Sequence, residues 1–129
     1  MASHYWKANP GPQEVSRIRR AIAAYTAGQG VPQCVVDDVA LAVSEVVSNC
    51  VVHAFPEGDE AGTITIMATV NGAEVTIRVV DDGIGLTPRM DSPGAGLGLA
   101  IAGKVARRMV VEQPQRGGTE VRMTFREAA

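Results

Sequence analysis

Cysteine is nearly absent: Cys34 and Cys50 are the only two in 129 residues. Both sit in apolar stretches and form neither a C-x-x-C pair nor a metal-ligand spacing. That excludes a disulfide scaffold and leads to the expectation of a reducing, cytoplasmic setting. A charge excess is also missing. Twelve Lys and Arg against 14 Asp and Glu leave a formal charge of -2, so no broad basic face for nucleic acid or anionic lipid is expected. Arg17, Arg19 and Arg20 do cluster, as do Arg107 and Arg108. No apolar run approaches the roughly 20 residues of a membrane-spanning helix. The opening MASHYWKANPGP lacks the cationic-then-apolar order of a signal peptide. Internal repeats, low-complexity tracts and linkers are absent as well, so residues 1–129 are expected to form a single domain. What remains is 46% hydrophobic and 20% charged residues, the balance of a globular chain.

Apolar spacing divides that chain into elements. Residues 3–8 suit a short edge strand. From Pro12, Val15, Ile18, Ile22 and Tyr25 recur at helical spacing, with Arg17 and Arg20 facing away. Gly28, Gly30 and Pro32 stop that helix. A second helix is expected over residues 32–54, where Val36, Val39, Val43, Val47, Cys50 and Ala54 fall on one side at about 100° per residue. Ile64, Ile66, Ala68 and Val70 then share one face of an alternating run, and Val75, Ile77 and Val79 share one face of the next. Asn71-Gly72 between them is a hairpin signal. Residues 96–108 read as a helix opened by glycines. A strand near 109–112, a Gly117-Gly118 turn and a last strand holding Val121, Met123 and Phe125 follow. The order predicts an α+β sandwich, with helices on one face of a mostly antiparallel sheet.

Four segments carry candidate chemistry. Glu45, Asn49 and His53 stand at i, i+4 and i+8, each turned about 40° from the last on an α-helix, so they share one polar stripe. Such a stripe suits a solvated helix face. It also suits a cleft in which the Asn oxygen meets a hard cation such as Mg²⁺ and the Glu accepts a proton from a hydroxyl or water. His53 alone suits packing or hydrogen bonding. Asp81-x-Gly83-x-Gly85 follows a strand, so its glycines allow a sharp turn and close approach to a flat ligand. Its carboxylate can accept an exocyclic amine, and the same residues also suit an ordinary Asx turn. Gly94-Ala95-Gly96-Leu97-Gly98-Leu99 opens a helix, and free amides there suit phosphates. It lacks the spacing of a dinucleotide fingerprint. Gly98 to Lys104 match a Walker loop only until Val105 replaces its hydroxyl, inside a helix. Gly117-Gly118-Thr119 precedes the final strand, where the hydroxyl suits a local cap.

Taken together and in order, these segments resemble the asparagine box and the three glycine boxes of the GHKL ATPase superfamily. Within it they are most similar to the small, free-standing anti-sigma-factor serine kinases of the RsbW and SpoIIAB type, above all over residues 43–55 and in the short lid before Gly94. Histidine kinases carry a phosphoacceptor segment and a longer lid. Topoisomerase, chaperone and mismatch-repair members need a transducer domain. The resemblance implies a Bergerat fold with ATP between the helices and the glycine boxes. Glu45 is implied as general base for a protein serine and Asn49 as the Mg²⁺ ligand. Asp81 is implied as the adenine anchor, with Thr119 supporting it. Gly83 and Gly85 are implied as the adenine wall, and Gly94, Gly96, Leu97, Gly98 and Leu99 as the phosphate-binding segment. His53 falls at a commonly occupied position. Arg89 and Lys104 are candidates for the cation facing the γ-phosphate.

The same resemblance implies a STAS-domain anti-anti-sigma protein as phosphoacceptor, a sigma factor as second partner and a homodimer. Two alternatives stand beside the anti-sigma kinase. One is a switch kinase of a stress-sensing complex (RsbT-like), against which the short lid argues. The other is a nucleotide-dependent binding module without turnover, which would not need Glu45 beside Asn49. A detached histidine-kinase ATPase domain is a further reading.

Overall fold

The computed structural model describes residues 1–54, 62–83, 95–113 and 117–127. Strands β2 (Ile64–Asn71) and β3 (Glu74–Asp81) follow from the alternation. Ile64, Ile66, Ala68 and Val70 lie opposite Asp81, Val79, Ile77 and Val75 on one buried face. Their ladder runs from Ile64↔Asp81 to Asn71↔Glu74, so the hairpin loop is Gly72-Ala73 and Asn71 still belongs to the strand. The loop therefore sits one residue later than Asn71-Gly72. Gly72 takes φ 63°, the positive value that the first loop position of a type II′ turn demands and that glycine adopts without steric cost.

Three further strands complete the sheet: β1 (Ala2–Ala8), β4 (Arg108–Glu112) and β5 (Thr119–Phe125), in the order β1-β2-β3-β5-β4. Every pairing among the described strands is antiparallel, the limiting case of the mostly antiparallel sheet that the pattern predicts. The first strand lies at an edge, as expected. Val121, Met123 and Phe125 of β5 join the buried face.

Helices α1 (Pro12–Gly28), α2 (Gln33–Asn49) and α3 (Ala95–Val105) cover that face. Helix α2 packs on α1, α3, β3 and β5 and so sits at the centre of the layer. The reason lies in its sequence: Val35, Val36, Val39, Val43, Val46 and Val47 are all buried, more than one narrow stripe can hold. Helix α1 begins at Pro12, whose fixed φ and missing amide suit a first turn. It ends in a Schellman arrangement. Gly30 at φ 82° donates its amide to the Ala27 carbonyl at 3.0 Å, and Val31 donates to Thr26 at 3.2 Å. No helix among the described residues is long and apolar enough to cross a membrane.

Two helix ends differ from the sequence expectation. The α-helical turn stops at Asn49, and Cys50–Ala54 form a π-helical segment. Apolar periodicity over one turn of Cys-Val-Val cannot separate an i→i+4 ladder from an i→i+5 ladder. Helix α3 ends at Val105 instead of residue 108. The Arg107 amide donates to the Thr124 carbonyl at 2.8 Å and draws the chain into the sheet edge. That bond joins residues distant in sequence, so no local pattern announces it.

Candidate functional site

Alternation along β3 brings a carboxylate into the interior. Val75, Ile77 and Val79 face the helices, and the same parity turns Asp81 to that side, where it is 3% exposed. A buried carboxylate requires hydrogen-bond partners. The Gly83 amide donates to Oδ1 at 2.9 Å and the Cys50 thiol donates to Oδ2 at 3.6 Å. Burial pushes the Asp81 carboxyl above the usual carboxylate range. The Gly83 amide, the Cys50 thiol and the Thr119 backbone pull it down, while Asp82 adds to the rise.

Its neighbour has a different task. Asp82 is exposed, its Oδ1 accepts the Thr63 amide at 2.8 Å, and its own amide donates to the Thr63 carbonyl at 3.3 Å. Asp82 thus closes the ends of β2 and β3. Of the two acids, Asp81 is the inward group, the one that the resemblance singles out.

Thr119 lies directly across the ladder from Asp81 and is 1% exposed. Before it, Gly117 and Gly118 take φ 93° and 81°. Gly118 leans on the Asp81 backbone so closely that an added Cβ would collide with the Asp81 carbonyl oxygen. The final glycine turn is therefore a wall against the strand end.

On the helical layer, Glu45 is half-buried and Asn49 is 7% exposed. One α turn separates them, about 6 Å along the axis. Cys50 follows Asn49 in the chain and touches Asp81, so the Asn49 end of α2 lies at the end of β3. The stripe of Glu45, Asn49 and His53 keeps α spacing only as far as Asn49, because the wider π turn intervenes. The His53 side chain lies outside the described residues.

Gly96, Leu97 and Gly98 form the first turn of α3, and only their backbone is described. Amides in a first helical turn lack intrahelical acceptors and carry the positive end of the helix dipole. Leu99, 6% exposed, anchors that turn in the core. Gly85, Gly94 and Arg89 lie outside the described residues. Lys104 is exposed in the last turn of α3, about 9 Å along the axis from Gly98, a poor position for a phosphate held by the first turn.

Among the described residues no three His, Cys, Asp or Glu side chains converge as a metal cage. Mg²⁺ is commonly held by one or two protein oxygens, with phosphates and water completing its shell. The Asn49 carboxamide, buried and next in the chain to the Cys50 that touches Asp81, is a hard oxygen donor of that kind, so the donor set fits a nucleotide-borne Mg²⁺. Two residues of the site carry no motif signal of their own. Gly118 is one of a glycine pair. Cys50 belongs to an apolar stripe, and nothing local in the sequence links it to Asp81.

Comparison with known proteins gives the same architecture a family. A model of the histidine kinase-like ATPase domain matches residues 8–125. The anti-sigma F factor of Thermoanaerobacter pseudethanolicus is 32% identical over 123 residues, covering 87% of this chain and 85% of that protein. The anti-sigma F factor of Clostridium botulinum is 33% identical over 122 residues, covering 86% and 85%. Among solved structures, the RsbU and RsbW domains of a Mycobacterium tuberculosis protein align with TM-score 0.76 at 21% identity, over 98% of this chain and 32% of that one, a likeness of fold. The histidine kinase domain of a blue-light activated kinase from Erythrobacter litoralis aligns with TM-score 0.61 at 26% identity, over 89% and 60%. With the family model spanning nearly its whole length, the chain belongs to the histidine kinase-like ATPase (GHKL) family and is similar in sequence to anti-sigma F factors.

Proposed function

We propose that this protein is an ATP-dependent protein serine kinase that phosphorylates a STAS-domain anti-anti-sigma protein and also binds a sigma factor, regulating transcription. Asp81 carries the assignment: a buried carboxylate at a strand end, its oxygens held by Gly83 and Cys50, beside the Asn49 end of α2. Such a group accepts the exocyclic amine of adenine and repels the carbonyl that guanine presents at the same place. Thr119 across the ladder supports the base directly or through water. Gly83 and Gly85 flank the ring, and the first-turn amides around Gly96, Leu97 and Gly98, with Gly94 and Leu99, hold the phosphates.

Asn49 would hold Mg²⁺, which supplies charge neutralisation on the phosphates when bound. Glu45, one turn away, accepts the proton of the serine hydroxyl as its oxygen bonds to the γ-phosphorus. The bond from that phosphorus to the bridging oxygen breaks, and ADP leaves. His53 borders this end of the helix. Residues 1–129 act in this scheme as one nucleotide-binding unit, working in the cytoplasm as a homodimer. The similarity to proteins named anti-sigma F factor supports the sigma-binding half.

Incubation with γ-labelled ATP and STAS proteins of the same genome, with sigma-factor capture in parallel, tests this. Label on a STAS serine together with a captured sigma factor is expected. Label without capture supports the switch kinase instead, and capture without label a binding module. Neither outcome on any partner contradicts the assignment.

A further inference from the structure

We propose that Cys50 is a positioning residue for base recognition: its thiol holds the Asp81 carboxylate in the orientation that accepts the adenine amine. This rests on the nucleotide-binding assignment and names a specificity determinant within it. The terminal torsion of an aspartate is soft, and one hydrogen bond leaves the carboxylate plane free to turn. At Asp81 donors arrive from both layers: the Thr119 backbone and Gly83 on the sheet side, and Cys50 opposite them. Gly83, just past the strand end, donates to Oδ1 at 2.9 Å, and Cys50, on the helical layer, donates to Oδ2 at 3.6 Å.

The chain is built locally to deliver that thiol. Cys50 is the first residue of the π-helical segment, and its amide is shared between the Val46 and Val47 carbonyls where the α ladder ends. Its side chain is 1% exposed, so no water competes for the contact. The thiol carries the hydrogen of the pair, so it donates to the carboxylate. A thiol is a weak donor, but its acceptor here is a carboxylate, which strengthens the bond. An apolar side chain at position 50 would fill the space and leave Oδ2 without its inner partner. Asp81 would then turn, or take a proton and present a donor to the amine.

The test uses the full chain with Cys50→Ala and Cys50→Ser, and three ligands: ATP, GTP and purine riboside triphosphate, which lacks the 6-amino group. Cys50→Ala should weaken ATP binding about five- to tenfold and leave purine riboside triphosphate within about twofold of wild type. Cys50→Ser, which keeps a donor, should restore the ATP advantage. If Cys50→Ala does not fold, Cys50→Val against Cys50→Ser carries the same comparison. An unchanged ATP advantage in the apolar variants overturns the proposal, as does an equal loss for all three ligands, the mark of packing alone. Asp81→Asn separates the two levels of inference. If it abolishes the ATP advantage while Cys50→Ala keeps it, only the role of Cys50 fails. If the advantage survives in Asp81→Asn, the adenine assignment itself fails.

Discussion

Gly118 rests against the peptide carbonyl of Asp81. At φ 81° its missing Cβ lets the start of β5 lie close against the end of β3, and an added Cβ would crowd the Asp81 carbonyl carbon at 3.0 Å. Gly117 also has positive φ, at 93°, but nothing lies within 4 Å of its missing Cβ. The two glycines therefore differ in kind, one set by backbone conformation alone and the other by conformation and contact. Gly118→Ala should cost about 2–4 kcal/mol of stability, and Gly117→Ala about 1 kcal/mol. Urea denaturation of both variants checks the order, which equal losses would contradict.

Asp81 also sets a pH dependence. Its folded-state carboxyl lies above the usual carboxylate range, chiefly through burial. The folded chain thus binds its proton more tightly than the unfolded chain does, and stability falls as pH rises through that window. The contribution is fully present below the ordinary carboxylate range and is lost above the raised value. Asp81→Asn removes the buried charge, so the nucleotide-free variant should melt higher than wild type at pH 7. The gap should close as pH falls into the carboxylate range. Thermal unfolding across pH reads this, and a variant that melts lower at pH 7 would refute it.

Opposite faces of β3 should respond differently to truncation. Ile77 is fully buried, and Ile77→Ala should cost about 2–5 kcal/mol. Arg78, next in sequence, pairs with Glu120 at 2.7 Å on the open face, where its side chain is 44% exposed. Arg78→Ala should change stability by no more than about 1 kcal/mol. Comparable losses in chemical denaturation would contradict the burial of the helix-facing side.

Much of this was legible in the sequence because it rests on short-range periodicity. Alternation in Ile64, Ile66, Val75, Ile77 and Val79 located the central hairpin, and Pro12 with Gly28 and Gly30 bounded α1. The inward turn of Asp81 follows from that same alternation. What stayed hidden depends on contacts between distant residues. The thiol of Cys50 meets a carboxylate 31 residues away, and Arg107 ends α3 by bonding to Thr124. The change from α to π geometry after Asn49 moves the helix off its 3.6-residue period, which apolar spacing in the sequence does not announce.

Asn49 should be separable from the base site. Asn49→Ala should lower the Mg²⁺-dependent part of ATP affinity at least about tenfold, a loss that even outer-shell changes produce at metal sites. ATP binding in the presence of a chelator should stay near the wild-type value. Calorimetric titration with and without Mg²⁺ measures both, and unchanged affinity for Mg-ATP would remove Asn49 from the metal.

Glu45→Gln offers the most direct test of the central claim, because it separates holding the nucleotide from transferring its phosphate. Both readouts are taken on one preparation: ATP affinity, and the rate of label transfer from γ-labelled ATP to a STAS serine. The expected result is affinity within about twofold of wild type and transfer reduced by about 10²-fold or more. Transfer at the wild-type rate would show that Glu45 is not the base, and would contradict the mechanism built on it.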